Sequence, residues 1–307
     1  MVNALYMVDI VIVNWNSGGY LATCINSIFS FGNDKYINKL YIIDNNSSDQ
    51  SLLSIPLHEK IFIIRNPGNN GFAKACNQGF RLCSATYTLL LNPDAQLLDD
   101  TLQHCLAFMQ QHNQVDILGC ALIDEEGKLT PSCARFPTAL RYVYDATGLS
   151  RMLPSVFTPA ILMTDWDHKK SRKVNQVMGA FMFMPTRIFE SSGYFDERFF
   201  VYYEELDFSK RVADAGGCSF YNAEIKAIHS GGGTTNAVKA FRLFLNLQSR
   251  LQYAKKHFSS IGYFVVWFCT FIIEPVSRTA LILMQGRFYG IKEIIRGYQL
   301  LIKSRSF

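Results

Sequence analysis

Five carboxylates lie within a 14-residue segment, 194–207, that is otherwise rich in aromatic residues. Apolar surroundings disfavour the charged form of a carboxyl group and raise its pKa, which suits a general base that works near neutral pH. The same segment precedes a pattern that predicts a helix, and acidic residues at the start of a helix are also stabilised by its dipole. This acidic segment is therefore a candidate site of proton abstraction, and a solvated helix start is the alternative.

Four short apolar runs in the first third of the chain each end in polar residues. The runs are 9–13, 39–43, 61–64 and 87–91. Helix-like segments at 19–29 and 71–83 separate some of them, so the runs predict parallel strands that are buried on both faces. The polar residues would then collect beyond the carboxyl ends of the strands, where open α/β sheets bind their ligands. We therefore expect a nucleotide or sugar-nucleotide site at that edge.

Two common nucleotide-binding fingerprints are missing from the sequence. It contains neither Gly-x-Gly-x-x-Gly after the first run nor Gly-x-x-x-x-Gly-Lys-Ser/Thr, which argues against a dinucleotide dehydrogenase or a P-loop enzyme. Asp94, which follows the fourth run in Asn92-Pro93-Asp94, instead offers the oxygen ligands that a hard divalent cation prefers. The same tripeptide commonly forms a turn that ends a strand. A metal ligand and a simple turn are both open for Asp94.

Taken in order, these segments resemble the bacterial family-2 glycosyltransferases, and within them the rhamnosyltransferase-like group that builds surface polysaccharides. The resemblance covers about residues 8–257. It rests on 13–16, 43–49, 66–73 with Asn77 and Gly79, 91–94, 179–182, the acidic segment and 229–232. It implies an α/β fold of the GT-A type, in which helices flank a mostly parallel nucleotide-binding sheet and a helical extension follows.

The resemblance also implies roles for individual residues. Contacts to the nucleotide sugar are implied for Asn14, Asn16, Asp44, Asn46, Gly71, Asn77 and Asn92. Contacts on the acceptor or sugar side are implied for Gly179, Glu204, Asp207 and Arg211, although Arg211 is alternatively a structural partner of a nearby carboxylate. Asp94 and His229 match the family's metal-binding positions, so the implied cofactor is a divalent cation, Mg²⁺ or Mn²⁺. Glu205 matches the catalytic base, with Glu where the family more often has Asp.

The implied reaction is an inverting glycosyl transfer. Glu205 would take the proton of an acceptor hydroxyl as that hydroxyl attacks the anomeric carbon, and the cation would neutralise the departing nucleoside diphosphate. The resemblance suggests dTDP-L-rhamnose as donor and a saccharide on a polyprenyl diphosphate as acceptor, in the synthesis of O-antigen or another surface polysaccharide. Two alternatives stay open: a transferase of the same fold that uses a UDP-hexose or another deoxysugar, and a catalytically silent carbohydrate- or lipid-binding member of an assembly complex.

Composition bounds the organisation of the chain. A chain of 307 residues can form one large domain with an appendage, and we predict a catalytic domain over 1–235 and a helical extension over 236–307. The eight cysteines show no Cys-x-x-Cys pairing, and the apolar start lacks a basic region before it. These features predict free thiols in a reducing cytoplasm and no secretion signal.

The C-terminal quarter is both basic and apolar. Residues 226–307 carry a net charge of +10, whereas residues 1–225 carry −5. The apolar run 261–273 is 13 residues long, short of the roughly 18–20 that span a bilayer. Four basic residues flank it, namely Lys255, Lys256, Arg278 and Arg287. We expect this extension to lie on the anionic cytoplasmic face of a bacterial inner membrane, with a hairpin packed on the catalytic domain as the alternative; nucleic acid is disfavoured because the region is so apolar.

Overall fold

The computed structural model describes residues 7–30, 32–231, 239–286 and 289–304. Its strands are β1 Val8–Asn14, β2 Ile37–Asp44, β3 Ile61–Arg65, β4 Tyr87–Leu91, β5 Ala95–Leu97, β6 Ile117–Ile123, β7 Cys133–Ala134, β8 Arg172–Val174, β9 Gln176–Val177, β10 Phe181–Pro185 and β11 Ser219–His229. Its helices are α1 Tyr20–Phe29, α2 Phe72–Phe80, α3 Thr101–Gln111, α4 Ala139–Thr147, α5 Leu149–Met152, α6 Ile188–Ser192, α7 Glu204–Asp214, α8 Lys239–His257, α9 Ser260–Phe268, α10 Glu274–Met284 and α11 Tyr289–Ser304. Short 3₁₀ turns occur at Asp34–Tyr36 and Ser51–Ser54, and a π-helical turn, Cys269–Ile273, joins α9 to α10.

The four predicted strands are β1 to β4, and they form the parallel half of the main sheet in the order β3-β2-β1-β4. Successive residues of β1 pack on opposite faces, as expected for a buried parallel strand. Ile10 and Ile12 join the core that includes α1, whereas Val11 and Val13 join the core that includes α2. Strand β3 is the exception to the predicted burial, because it lies at the edge of the sheet and exposes apolar side chains.

The other half of the sheet makes the whole mixed rather than mostly parallel. In the described part of the chain the order continues through β10, β6, β11 and β5, with β8 on β11, while β7 and β9 form a small second sheet. Strand β10 runs antiparallel to both β4 and β6. This direction brings the residues before β10 to the carboxyl end of β4, where the backbone N–H of Asn92 donates to the carbonyl of Ala180 at 3.0 Å. The mixed sheet therefore joins Gly179 and Ala180 to the predicted ligand edge.

The C-terminal helices share a third apolar core with the rest of the molecule. Leu247 and Leu251 of α8 and Leu301 of α11 are fully buried there, together with Tyr203 and Leu206 of the acidic segment and α7. These shared contacts pack α8 and α11 on the body of the protein. The predicted domain boundary between residues 235 and 236 lies outside the described residues.

The apolar run near the C-terminus belongs to a longer helix than the sequence predicted. A continuous helical stretch, Ser260–Met284, contains α9, the π-helical turn and α10, and within the described chain it is the one helix long and apolar enough to cross a membrane. Its 25 residues would extend about 37 Å at about 1.5 Å per residue. Only 22% of its most apolar window is buried. The sequence predicted an apolar segment too short to span a bilayer, and this is wrong for the helix as a whole.

The cysteines behave as predicted from their spacing. All eight are free, and six of them are buried.

Candidate active site

The carboxyl ends of β1 and β2 hold Asp44 in a network of hydrogen bonds. Asn14 and Asp44 are paired in the register of these strands, and Asn14 Nδ2 donates to Asp44 Oδ1 at 2.8 Å. The backbone N–H of Ser47 donates to Asp44 Oδ2 at 3.3 Å, and the hydroxyls of Ser47 and Ser51 also contact Asn14 Nδ2, at 3.1 and 2.9 Å. A buried carboxylate is tolerated when it is hydrogen-bonded in this way. Asp44 is therefore fixed at the predicted nucleotide edge.

Two asparagines shape the loops beside Asp44. Asn16 and Asn46 adopt φ values of 51° and 62°, in the left-handed region that Asn tolerates better than most residues. Asn16 Oδ1 accepts from the backbone N–H of Ser48 at 2.7 Å and ties the loop after β1 to the loop after β2. The structure thus brings Asn14, Asn16, Asp44 and Asn46 together.

Gly71 lets the start of α2 touch the acidic segment. Its φ is +85°, and a Cβ at this position would lie 2.5 Å from the carbonyl oxygen of Phe200. The next residue, Phe72, donates its backbone N–H to that same carbonyl at 2.6 Å. Asn45 donates through Nδ2 to the carbonyl of Gly71 at 3.0 Å. Gly71 therefore joins the nucleotide edge to the acidic segment.

Asn77 anchors the acidic segment on α2. It is 1% exposed, its Oδ1 accepts from the backbone N–H of Phe195 at 3.0 Å, and its Nδ2 donates to the carbonyl of Phe195 and to Glu197 Oε1, both at 2.9 Å. These bonds occupy the amide on both sides. Asn77 therefore positions the acidic segment, and its implied role as a nucleotide-sugar contact stays a prediction.

Two consecutive tyrosines turn the chain just before α7. Tyr202 and Tyr203 have φ values of 68° and 72°, which are strained for residues with a side chain. Tyr203 is buried in the third core, and the hydroxyls of Tyr142 and Tyr203 lie 3.2 Å apart in a hydrogen bond. This packing holds the turn in place, so α7 begins with Glu204 and Glu205 directed into the protein.

Glu204 and Glu205 place two carboxyl groups side by side at the start of α7; Glu204 is buried, whereas Glu205 is half-buried. The two carboxyl groups are close enough to influence each other's ionisation. The Glu205 carboxyl also lies beside Gly179, where an added Cβ would be 3.6 Å from Glu205 Oε1. Burial raises the pKa of Glu204 well above its usual value, and the adjacent charge of Glu205 raises it further. Burial also raises the pKa of Glu205, partly offset by nearby backbone N–H groups. The pKa values of both carboxyl groups are therefore raised, so the pair binds a proton more readily than exposed glutamates do.

The pair has the properties that a proton acceptor needs. Among the described residues, the Oε2 atoms of Glu204 and Glu205 have no hydrogen-bond partner. A raised pKa near the working pH increases the proton affinity of a carboxylate while it remains ionisable. Glu205 thus offers a carboxylate of raised proton affinity beside Glu204.

Asp94 and His229 meet at the carboxyl end of β4. Strand β5 places Ala95 opposite His229 of β11, and His229 Nε2 lies 3.3 Å from Asp94 Oδ1. The backbone N–H of Ala95 donates to the carbonyl of Asn92 at 3.1 Å, so 92–95 is also a turn. The tripeptide is therefore a turn, as the alternative expected, and this turn places Asp94 beside His229; a metal-binding role for Asp94 stays a prediction.

The pair has the donor atoms of a divalent-cation site that is completed by a substrate. Within the described ranges no group of three or more His, Cys, Asp or Glu could hold a metal ion. Mg²⁺ is commonly bound through one or two carboxylates together with substrate phosphates, and imidazole is a good ligand for several transition metals. One carboxylate and one imidazole, both slightly exposed, fit a cation that takes its other ligands from a diphosphate.

Asp207 and Arg211 belong to a buried ion cluster. Asp207 is fully buried and binds Arg211 Nε at 3.0 Å, Lys256 Nζ at 2.6 Å and His257 Nε2 at 2.7 Å. Burial opposes ionisation of Asp207, but the hydrogen bonds from His257, Lys256 and Arg211 lower its pKa overall. The implied acceptor-side role of Asp207 is corrected, because a buried carboxylate with three basic partners is not available to a substrate. Arg211 also donates to the carbonyl of Tyr194 at 2.6 Å. These contacts fit the alternative given for Arg211, a structural partner of a nearby carboxylate.

The same cluster corrects the role predicted for Lys256. Its ammonium group binds both Asp196, at 2.8 Å, and Asp207, at 2.6 Å, and so joins α8 to the acidic segment and to α7. Burial opposes ionisation of Asp196, yet hydrogen bonds from Arg198 and Lys256 lower its pKa. Lys256 is therefore a partner of carboxylates in the acidic segment and α7, and not a basic group that faces outward.

Comparison with known proteins finds similarity to glycosyltransferases. Residues 9–159 match the model of a family described as Glycosyl transferase family 2. The chain is 24% identical over 228 residues to the low-salt glycan biosynthesis hexosyltransferase Agl10 of Haloferax volcanii, covering 71% of this chain and 68% of that protein. It is 21% identical over 253 residues to an N-acetylglucosaminyl-diphospho-decaprenol L-rhamnosyltransferase of Mycobacterium tuberculosis, covering 77% and 80%.

Two solved structures share the fold. The mannosyltransferase PcManGT from Pyrobaculum calidifontis, in complex with GDP-Man and Mn²⁺, aligns with a TM-score of 0.59 at 12% identity over 99% of this chain and 89% of that chain. GalNAc-T7 with UDP, GalNAc and Mn²⁺ aligns with a TM-score of 0.57 at 14% identity over 82% of this chain, which spans about half (48%) of that chain. The predicted GT-A type of fold is confirmed, with a mixed sheet and C-terminal helices.

Proposed function

We propose that this chain, which carries a Glycosyl transferase family 2 domain, is an inverting, metal-dependent transferase that moves L-rhamnose from dTDP-rhamnose onto a lipid-linked saccharide. The observation that carries the proposal is the Glu204–Glu205 pair, which lies beside Gly179 near the same sheet edge that holds Asp44 and the Asp94–His229 pair. A base, a nucleotide edge and a cation pair in this arrangement are what a nucleotide-sugar transfer needs.

The chemical step follows from the carboxyl pair. Glu205 accepts the proton of the acceptor hydroxyl while the hydroxyl oxygen bonds to the anomeric carbon of the donor sugar. The bond from that carbon to the diphosphate oxygen breaks, and its electron pair leaves with the nucleoside diphosphate. Because the acceptor attacks from the face opposite the leaving group, the anomeric configuration inverts.

The donor side follows from the strand ends. Asn14 Nδ2 and the backbone N–H of Ser47 hold Asp44 in one orientation for a contact to the base or ribose. Asp94 and His229 would hold the cation. When bound, a divalent cation stabilises the negative charge that develops on the departing diphosphate. Two structural neighbours that contain Mn²⁺ support this assignment of the cofactor.

The relatives support two donor classes. The mycobacterial relative is described as an L-rhamnosyltransferase that acts on a decaprenol-linked saccharide, which supports both the rhamnosyl donor and the lipid-linked acceptor. The archaeal relative is described as a hexosyltransferase, which favours the alternative of a different hexose donor. We place L-rhamnose first because the surface-polysaccharide group that the sequence resembles also points to it.

A donor panel tests the proposal. The full chain is assayed with Mg²⁺ or Mn²⁺ and an N-acetylglucosaminyl-diphospho-polyprenol acceptor against dTDP-L-rhamnose, UDP-glucose, UDP-galactose and GDP-mannose, with Glu205→Gln as the inactive control. We expect the highest turnover with dTDP-L-rhamnose and an inverted anomeric centre in the product by NMR. Turnover with a UDP-hexose alone would favour the second donor class. Donor binding without turnover of any donor would instead indicate a catalytically silent binding protein.

A further inference from the structure

The helical stretch Ser260–Met284 exposes a continuous apolar stripe. Six large apolar side chains along it are each at least 42% exposed, namely Ile261, Phe264, Phe268, Ile272, Val276 and Leu283. Their spacing of three, four, four, four and seven residues places them along one side of a helix. Scattered apolar side chains are normal on a protein surface, but an aligned row of this length marks an interaction site.

The opposite side of the same stretch carries the buried and charged residues. Val266, Cys269 and Thr270 are buried against the protein, and Glu274 is buried as well. Glu274 is held by Arg250 of α8 and by Arg278, whose Nη2 lies 2.6 Å from Glu274 Oε1. A surface helix in water usually places its charges outward and its apolar side inward. Here the ionic groups face the protein and the apolar row faces outward, which is the arrangement for an apolar environment outside.

The neighbouring helix α11 adds exposed positive charge. Lys292, Arg296 and Lys303 are exposed and share one side of α11, with exposed Ile295 and Ile302 between them. The helix packs on α10, as shown by the close approach of Gly290 to the side chain of Ile282. The one acidic residue of α11 is Glu293. Its carboxylate accepts a hydrogen bond from the backbone N–H of Ala240 at 3.0 Å. An apolar row beside clustered basic residues is complementary to an anionic lipid surface.

We propose that the apolar stripe and the basic side of α11 form one docking surface for an anionic lipid bilayer. The stretch Ser260–Met284 lies in the plane of the interface and does not cross the bilayer, although it is long enough to do so. Its opposite side is fixed to α8 through the Arg250–Glu274 pair and to the third core through Val266. This docking requires no glycosyl transfer, so it stands or fails independently of the proposed function.

Vesicle flotation with the purified full chain tests the docking surface directly. Vesicles of phosphatidylcholine alone are compared with vesicles that also contain phosphatidylglycerol. We expect binding to both, with stronger and salt-sensitive binding to the anionic vesicles, because screening weakens the Lys and Arg contribution but not apolar insertion.

Two matched variants separate the stripe from general surface hydrophobicity. Ile261→Asp removes an exposed apolar residue from the stripe, and Asp in the first turn of α9 is favourable to the helix, so the variant should fold. We expect its partition onto vesicles to fall by about tenfold or more, the usual effect of withdrawing one large apolar side chain from an apolar phase. Leu57→Asp, at a fully exposed leucine outside the extension, should leave partition unchanged.

The basic residues have a separate test. Replacing Lys292, Arg296 and Lys303 together by Gln should weaken binding to anionic vesicles and abolish its salt dependence, while binding to phosphatidylcholine stays the same. Equal partition of Ile261→Asp and the parent would overturn the proposal. A parent that is dimeric in solution, does not bind vesicles and becomes monomeric in Ile261→Asp would also overturn it, because a second copy would then cover the stripe.

Discussion

Lys256→Met should destabilise the protein strongly, because it removes a cation from the buried cluster that fastens α8 to α7. Asp207 is fully buried and the Lys256 side chain is only 23% exposed, so little solvent screens their 2.6 Å contact. Removing one partner of a buried ion pair costs about 3–5 kcal/mol, but Arg211 and His257 remain on Asp207 and reduce the loss. A charged hydrogen bond contributes about 1.5–3 kcal/mol, and we expect the free energy of unfolding to fall by about that amount.

The pH dependence of this loss has a defined sign. The pKa of Asp207 is lowered in the folded protein, so its contribution to stability is present above its unfolded pKa and is lost as the pH falls through the folded pKa. Without Lys256 the folded pKa of Asp207 rises, so acid unfolding should begin at a higher pH. Lys256→Arg, which keeps the charge, should restore most of the difference.

Urea denaturation of the full chain measures the effect against a matched control. Lys60→Met removes the same side chain from a pair with Asp34 in which the carboxylate is 49% exposed, and such pairs contribute about 0–1 kcal/mol. The reasoning would be refuted if Lys256→Met cost no more than Lys60→Met, or if its acid-unfolding midpoint did not move.

Three further changes test other parts of the account. Asp94→Ala should abolish metal-dependent donor binding in calorimetry while thermal unfolding changes little; unchanged donor affinity in saturating Mn²⁺ would reduce 92–95 to a simple turn. Gly71→Ala should cost about 1–3 kcal/mol in urea denaturation, because its φ and ψ of 85° and 166° are reserved for glycine and its Cβ would meet the carbonyl of Phe200; a neutral result would show that this contact is loose. Asn77→Ala should lower both stability and turnover with little change in donor affinity, and a selective loss of donor affinity would return Asn77 to the nucleotide site.

The nucleotide edge of the molecule was predictable from the sequence because its determinants are local. Each of the strands β1 to β4 is a short apolar run that ends in polar residues, and parallel strands bring those ends to one edge. The contact of Asn14 with Asp44 follows from that order alone. The carboxyl pair at the start of α7 was likewise visible as acidic residues among aromatic ones.

The ion cluster was not predictable from local pattern. Lys256 pairs with carboxylates 49 and 60 residues away in the chain, and only the packing of α8 on α7 decides which basic residues turn inward. The sequence did carry one signal, since an acidic segment and a basic extension of opposite net charge are complementary. The antiparallel direction of β10 was not predictable for a similar reason. An apolar run predicts a strand but not its direction relative to the neighbouring strands.

The rate of transfer by Glu205→Gln and Glu204→Gln tests the central claim most directly. Single-turnover transfer at saturating donor should fall by roughly 10²–10⁴ in Glu205→Gln with donor affinity unchanged, because Gln keeps the size of the side chain but cannot accept the proton. Glu204→Gln should retain much of the activity, since Gln keeps the size and polarity of the side chain beside Glu205, and Glu205→Asp should retain some. In the parent the rate should rise with pH through the raised pKa of Glu205. Near-normal transfer by Glu205→Gln, or a larger loss in Glu204→Gln, would contradict the assignment of Glu205 as the base.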